Sequence, residues 1–175
     1  METAISKSSH EVSVKWLPFF LRSNIPLEGV DKGGTPETRV PARLKAAGAA
    51  VGINFSGLTD RYPNTAAAHA LLSWAEETAG VAVQNQIAEI TFRHYFTDGL
   101  YPDAENLVKA ATEAGLDADA ARAAVASAER LEAVKAEART YTGCGGVPFF
   151  IVNGEPAFSG AQPPENFLKA FNAAA

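Results

Sequence analysis

The chain has 175 residues, 47% of them apolar and 20% charged, with a formal charge of −5. That is the composition of one globular domain, with or without an insertion, and its apolar content suffices for a packed core. The charges form no basic stripe and no stretch nears the roughly 20 apolar residues of a membrane span, which excludes nucleic-acid binding and a transmembrane helix as working classes.

Residues Met1 to Ser6 lack the basic and apolar regions of a signal peptide. The single cysteine, Cys144, permits no internal disulfide. A cytoplasmic, reducing location is therefore the expectation.

Val12, Val14 and Trp16 alternate with Ser13, Lys15 and Leu17, which predicts a strand over Val12–Leu17 stopped by Pro18. Leu21 to Thr35 is rich in Pro, Gly and Ser and reads as a loop. Pro36 to Ala50 has helical character, weakened by Pro41 and Gly48. Asn64 offers a cap for a helix through Thr78. Val83 to Phe96 is the clearest amphipathic helix, with Val83, Ile87, Ile90 and Tyr95 near one face, and Asp98-Gly99 ends it. Trp74, Phe92, Tyr95 and Phe96 are expected in the core.

Asp103 caps a helix closing at Gly115, and Asp117 caps another through Ser127. Ala128 to Tyr141 is a further helix ending at Gly143. The character then changes. Val147 to Val152 is a β-branched and aromatic run followed by the Asn153-Gly154 turn signal, with Pro156 to Ser159 as the returning strand. Pro163-Pro164 opens a last helix with Phe167, Leu168 and Phe171 on its apolar face. A strand separated from a hairpin by a helical block predicts an α/β sheet with a helical insertion.

Three segments together resemble the DsbA family of thioredoxin-fold oxidoreductases, in particular its FrnE-like branch. They are Trp16-Leu17-Pro18-Phe19-Phe20-Leu21, then Pro63-Asn64-Thr65 through His69, and finally Gly146 to Gly154 with Phe158-Ser159-Gly160-Ala161-Gln162-Pro163-Pro164-Glu165. They occur in the family's order and spacing from His10 to the C-terminus. The resemblance implies a thioredoxin-like mixed sheet, built from residues 10–35 and 143–175, with residues 36–142 forming a helical insertion and flanking helices. It also implies a cis peptide at Pro148, with the Val147 N–H and C=O turned toward an extended protein or peptide thiol substrate.

Family members begin with a strand followed by Cys-x-x-Cys at a helix start, where the helix N-terminus lowers the first thiol's pKa. No cysteine precedes Cys144 here. The resemblance thus lacks the first strand, the dithiol and the first helix, and an N-terminally truncated version of a longer protein is the expectation. The catalytic residues stay unassigned, and dithiol turnover is not expected from this form.

Cys144 is a redox-thiol candidate in Gly143-Cys144-Gly145-Gly146; its weightier reading is a small apolar filler. His69 and Asn64 are substrate-side candidates beside Val147 and Pro148. His69 serves equally well as a packed helix histidine, and Asn64 most simply as a cap. No cluster has metal-ligand spacing and no cofactor is called for. An alternative resemblance, to kappa-class glutathione transferases and hydroxychromene-carboxylate isomerases, would bring glutathione. A second alternative is a non-enzymatic peptide-binding module. Sheet edges left open by a missing strand also make a homodimer an expected partner state.

Overall fold

The computed structural model describes all residues, 1–175. In chain order the elements are α1 (Glu2–Lys7), β1 (Val30–Asp31), α2 (Pro36–Arg39), α3 (Ala42–Ala49), β2 (Arg61–Tyr62) and α4 (Ala66–Arg93). A π-helical turn (His94–Asp98) follows, then α5 (Ala104–Glu113), α6 (Ala118–Ala126), α7 (Ala128–Thr140), β3 (Phe149–Val152), β4 (Glu155–Ser159) and α8 (Pro164–Ala173). No helix is long and apolar enough to cross a membrane.

The densest core lies among α4, α5 and α6, with α7 packed on α4. Leu71, Ala75, Ile87, Leu107, Val108 and Val125 are buried there, with Trp74 packed against them. Alanines at Ala111 and Ala121 let the helices approach closely. The starts of α5 and α6 follow the predicted caps, with Asp103 accepting from the Asn106 N–H and Asp117 from the Ala120 N–H; Ser127, read from sequence only as a helix end, also caps α7 through the Arg130 N–H. Each such cap satisfies a donor that the helix itself leaves unpaired.

The two helices predicted over Asn64–Thr78 and Val83–Phe96 are the two limbs of α4. Gly80 sits between them with φ 82° and ψ 174°, a conformation open to glycine, and kinks the run. The predicted Pro36–Ala50 helix is likewise divided, because Val40 is extended ahead of Pro41.

The sheet is smaller than predicted. Two separate two-stranded ladders form, β1–β2 and β3–β4. The short β1–β2 pair arises inside the segment read as loop, in the register Val30↔Tyr62 and Asp31↔Arg61. Cations stack beside it, with the Lys32 ammonium 4.5 Å from the Tyr95 ring centre and the Arg22 guanidinium 4.0 Å from that of Tyr62. The β3–β4 hairpin turns through Asn153 (φ 50°) and Gly154 (φ 86°), as the Asn-Gly pair dictates. Phe150 and Phe158 pack edge-on against Phe167 of α8, and α1 lies on α8 with Ala4 fully buried.

Two expectations are corrected. Val12–Leu17 is not a strand, because no neighbouring strand offers it a ladder. Its burial still alternates: Glu11, Ser13 and Lys15 are exposed while Val12, Val14 and Trp16 are partly covered. The side-chain amide of Gln84 takes the place of a partner, accepting from the Trp16 N–H (2.8 Å) and donating to the Trp16 carbonyl (3.0 Å). Phe92 and Phe96 are not core residues; they are 41% and 40% exposed. They lie in a surface aromatic row, with Trp16 5.3 Å from Phe92 and Phe55 5.5 Å from Phe96 between ring centres. Both sit at the margin of the apolar face of their helix, and Phe96 lies within the π-helical turn, whose wider pitch departs from the 3.6-residue period.

Candidate functional site

The candidate site is the turn that carries the chain from α7 into β3. After Thr140 the helix closes through a Cys144 N–H bond to the Tyr141 carbonyl (3.1 Å). Gly145 (φ 73°) and Gly146 (φ 150°) then take backbone conformations that side chains oppose. Nothing lies within 4 Å of where their Cβ atoms would be, so the glycines serve the backbone and not a close approach. The Val147–Pro148 peptide bond is cis. The Pro148 carbonyl accepts from the Gly160 N–H at 2.8 Å, which joins the turn to the end of β4.

That bond fixes which way the neighbouring backbone points. Successive residues of an extended run present their N–H and C=O groups to opposite edges. With Pro148 turned toward β4, the backbone groups of Val147 and Phe149 face the other edge. Val147 makes no backbone hydrogen bond and its side chain is 40% exposed. The loop therefore presents an open strand edge beside an accessible apolar side chain. Cys144 sits three residues before Val147, partly buried, and its thiol donates to the Gly146 carbonyl at 3.6 Å.

The other two candidates lie at the start of α4 and hold the long N-terminal run. The Asn64 Nδ2 donates to the Ile25 carbonyl (2.7 Å), and its Oδ1 accepts from the Ala66 N–H (3.0 Å). His69 Nε2 lies 3.2 Å from the Phe19 carbonyl, and its ring meets Phe20 edge-on at 5.2 Å. Burial pushes the His69 imidazole down to about 4, only partly offset by the Phe19 carbonyl, so it is neutral at physiological pH. A neutral imidazole donates its Nε2 proton to Phe19 in this arrangement. No hydrogen bond joins either residue to Cys144, Val147 or Pro148.

The structure also organises polar groups that the sequence reading passed over. His94 is buried in the π-helical turn with Nε2 3.2 Å from a Glu113 carboxylate oxygen. Arg93 clamps both oxygens of that carboxylate at 2.6 and 2.8 Å and holds it below the usual carboxylate range. A π-turn and a buried histidine have no local sequence signature, so only the fold reveals this group. Gln84 did leave a signal: it is a polar residue between Val83 and Ile87 on the apolar side of its helix. No group of three or more His, Cys, Asp or Glu side chains is placed to hold a metal ion.

A model of the DsbA-like thioredoxin domain matches residues 1–172. The chain belongs to the DsbA-like thioredoxin-domain family. Among solved structures, the chain is similar to a probable DsbA oxidoreductase from Streptomyces coelicolor, at 30% identity and a TM-score of 0.80. The match covers 99% of this chain and 80% of that one. No curated protein matches. The DsbA-like assignment agrees with the predicted thioredoxin-type α/β fold. It also frames the chemistry of the loop: a lone thiol can enter one mixed disulfide, and the 175 residues hold no second thiol to resolve it.

Proposed function

We propose that this chain is a FrnE-type member of the DsbA-like oxidoreductases whose Val147–Pro148 loop docks extended protein thiol substrates. With Cys144 its only thiol, the 175-residue form holds such peptides without turning over a dithiol. The open backbone edge and exposed side chain at Val147, directly following the Cys144 turn, carry the reading. An extended peptide laid there gains main-chain hydrogen bonds whatever its sequence, while Val147 and the glycines leave room for its side chains. Asn64 and His69 contribute by fixing the Phe19–Ile25 run and not by touching substrate. The unpaired thiol fits a reducing, cytoplasmic setting.

The test is binding of a fluorescently labelled, extended apolar peptide, read by anisotropy, with insulin reduction measured alongside. The expected result is saturable binding weakened at least fivefold in Val147→Asp, an unchanged melting profile, and insulin reduction at background. Robust insulin reduction refutes the account of the lone thiol. Peptide binding indifferent to Val147 refutes the docking edge. Thermal stabilisation by glutathione without peptide binding moves the assignment to the glutathione-dependent relatives.

A further inference from the structure

From Ser9 to Phe19 no residue takes part in a backbone–backbone hydrogen bond. Within that run Glu11 to Trp16 retains strand-like burial, exposed at odd positions and partly covered at even ones. Trp16 shows which edge faces inward, since both its backbone groups are held by the Gln84 amide of α4. By strand alternation the groups of Val12 and Val14 share that inner edge, and those of Glu11, Ser13 and Lys15 face outward, unpaired.

The sequence of this outer edge is complementary to itself. An antiparallel two-fold centred on Ser13 sets Glu11 opposite Lys15, Val12 opposite Val14 and Ser13 opposite its own copy. We propose that this edge is a homodimer interface, in which two copies pair their His10–Trp16 segments antiparallel about Ser13.

The register meets the requirements of a symmetric ladder. The Ser13–Ser13 pair and the two Glu11–Lys15 pairs are the hydrogen-bonded ones, each exchanging two bonds, because their backbone groups are the outward ones. The Trp16–Gln84 contacts stay intact. Opposite charges meet directly across the ladder on the solvent face, twice per dimer. Glu11 has no ionic partner within the chain. Lys15 already lies 2.6 Å from Glu76, yet its side chain is half exposed and its ammonium has further donors to give. A slip of one residue would set Glu11 opposite Val14 or Trp16 and turn the valines toward solvent, so the register is specified. Pro18 limits the ladder at one end. The contact is self-complementary, as a two-fold interface must be. It is also small, so the dimer exchanges with monomer in the micromolar range or above.

Sedimentation of the 175-residue chain from roughly 10 to 500 µM, in low and high salt, measures the association. Trapping uses Ser13→Cys in a Cys144→Ser background. Hydrogen-bonded antiparallel partners stand about 5.5 Å apart at Cα, within the span a disulfide bridges. Expected are a reversible dimer weakened several-fold by salt, at least tenfold weaker association in Glu11→Lys and Ser13→Pro, and oxidative cross-linking of the Ser13→Cys protein. The same background with Ser23→Cys should stay uncross-linked. A monomer throughout the range overturns the proposal, as does equal cross-linking at positions 13 and 23. A dimer indifferent to both substitutions places the contact elsewhere and overturns it equally.

Discussion

Replacing Gln84 with Leu removes the only polar partners of the Trp16 backbone while keeping the side-chain volume nearly constant. Gln84 is 1% exposed and makes bonds of 2.8 and 3.0 Å to that residue. Each bond lost costs about 0.5–1.5 kcal/mol net, and a Trp16 group that stays dry without a partner costs roughly 1–3 kcal/mol. Trp16 is only partly covered, so water reaches one group more readily than two. The expected destabilisation is about 2–4 kcal/mol. At the roughly 2–4 °C per kcal/mol of a domain this size, melting falls by about 5–15 °C. Urea unfolding followed by circular dichroism gives the free energy, and tryptophan emission reports whether Trp16 moves into water. Asn85→Ala is the calibrating variant: it removes only the Oδ1 that accepts from the Trp16 indole at 2.8 Å, worth about 1 kcal/mol. A Gln84→Leu protein within about 0.5 kcal/mol of the parent, with unchanged emission, refutes the claim that a side-chain amide stands in for a strand here.

Stability should also depend on His69. The unfolded imidazole binds a proton near pH 6.5 and the folded one only near 4. Stability is thus complete above about pH 6.5 and is lost as the pH falls toward 4, with a ceiling of about 3 kcal/mol that residual exposure of the ring lowers. Urea midpoints compared at pH 7 and pH 4.5 should show a smaller drop in His69→Gln than in the parent. Gly48→Ala should destabilise, although alanine is the better helix former. A Cβ there would stand 2.5 Å from the Phe55 ring and 2.8 Å from the Ile53 carbonyl, an overpacking worth about 1–3 kcal/mol by thermal melting. Asp117→Ala should cost about 1 kcal/mol through the lost cap on the Ala120 N–H, with Asp103→Ala similar at α5.

The helical half of the molecule was legible because its signals are local. Asp103, Asp117 and Gly115 mark helix ends through groups within one turn of themselves, and the Asn153-Gly154 turn is equally self-contained. The Val12–Leu17 reading failed for a non-local reason: alternation records which side chains are covered and says nothing about whether a second strand exists to bond. Phe96 was misplaced because it lies inside a π-turn, which departs from the 3.6-residue period; Phe92 precedes that turn and sits at the margin of the apolar face, where Trp16 covers it only in part. At the candidate site, the cis Val147–Pro148 bond was anticipated from a dense family signature, whereas the partners of Asn64 and His69 were not. Both of those reach back some 40 to 50 residues in sequence, to Ile25 and Phe19, and only the folded chain brings such partners together.

Burial is distributed unevenly between these two halves, and this bears on the docking edge proposed at Val147. The α4–α7 cluster holds most of the fully buried side chains, whereas no residue of β3 or β4 is fully buried. The hairpin is anchored through Phe150 and Phe158 against Phe167, and by α1 behind α8. Local opening should therefore begin at the hairpin and its Gly145-Gly146 entrance, well before the helical core loosens. An extended chain laid along the open edge at Val147 would supply hydrogen bonds and cover apolar surface in the least buried part of the fold. Occupancy of that edge should then raise amide protection across Phe149–Ser159 more than across α5 or α6, because stabilisation by a ligand is largest for the openings that the ligand must close.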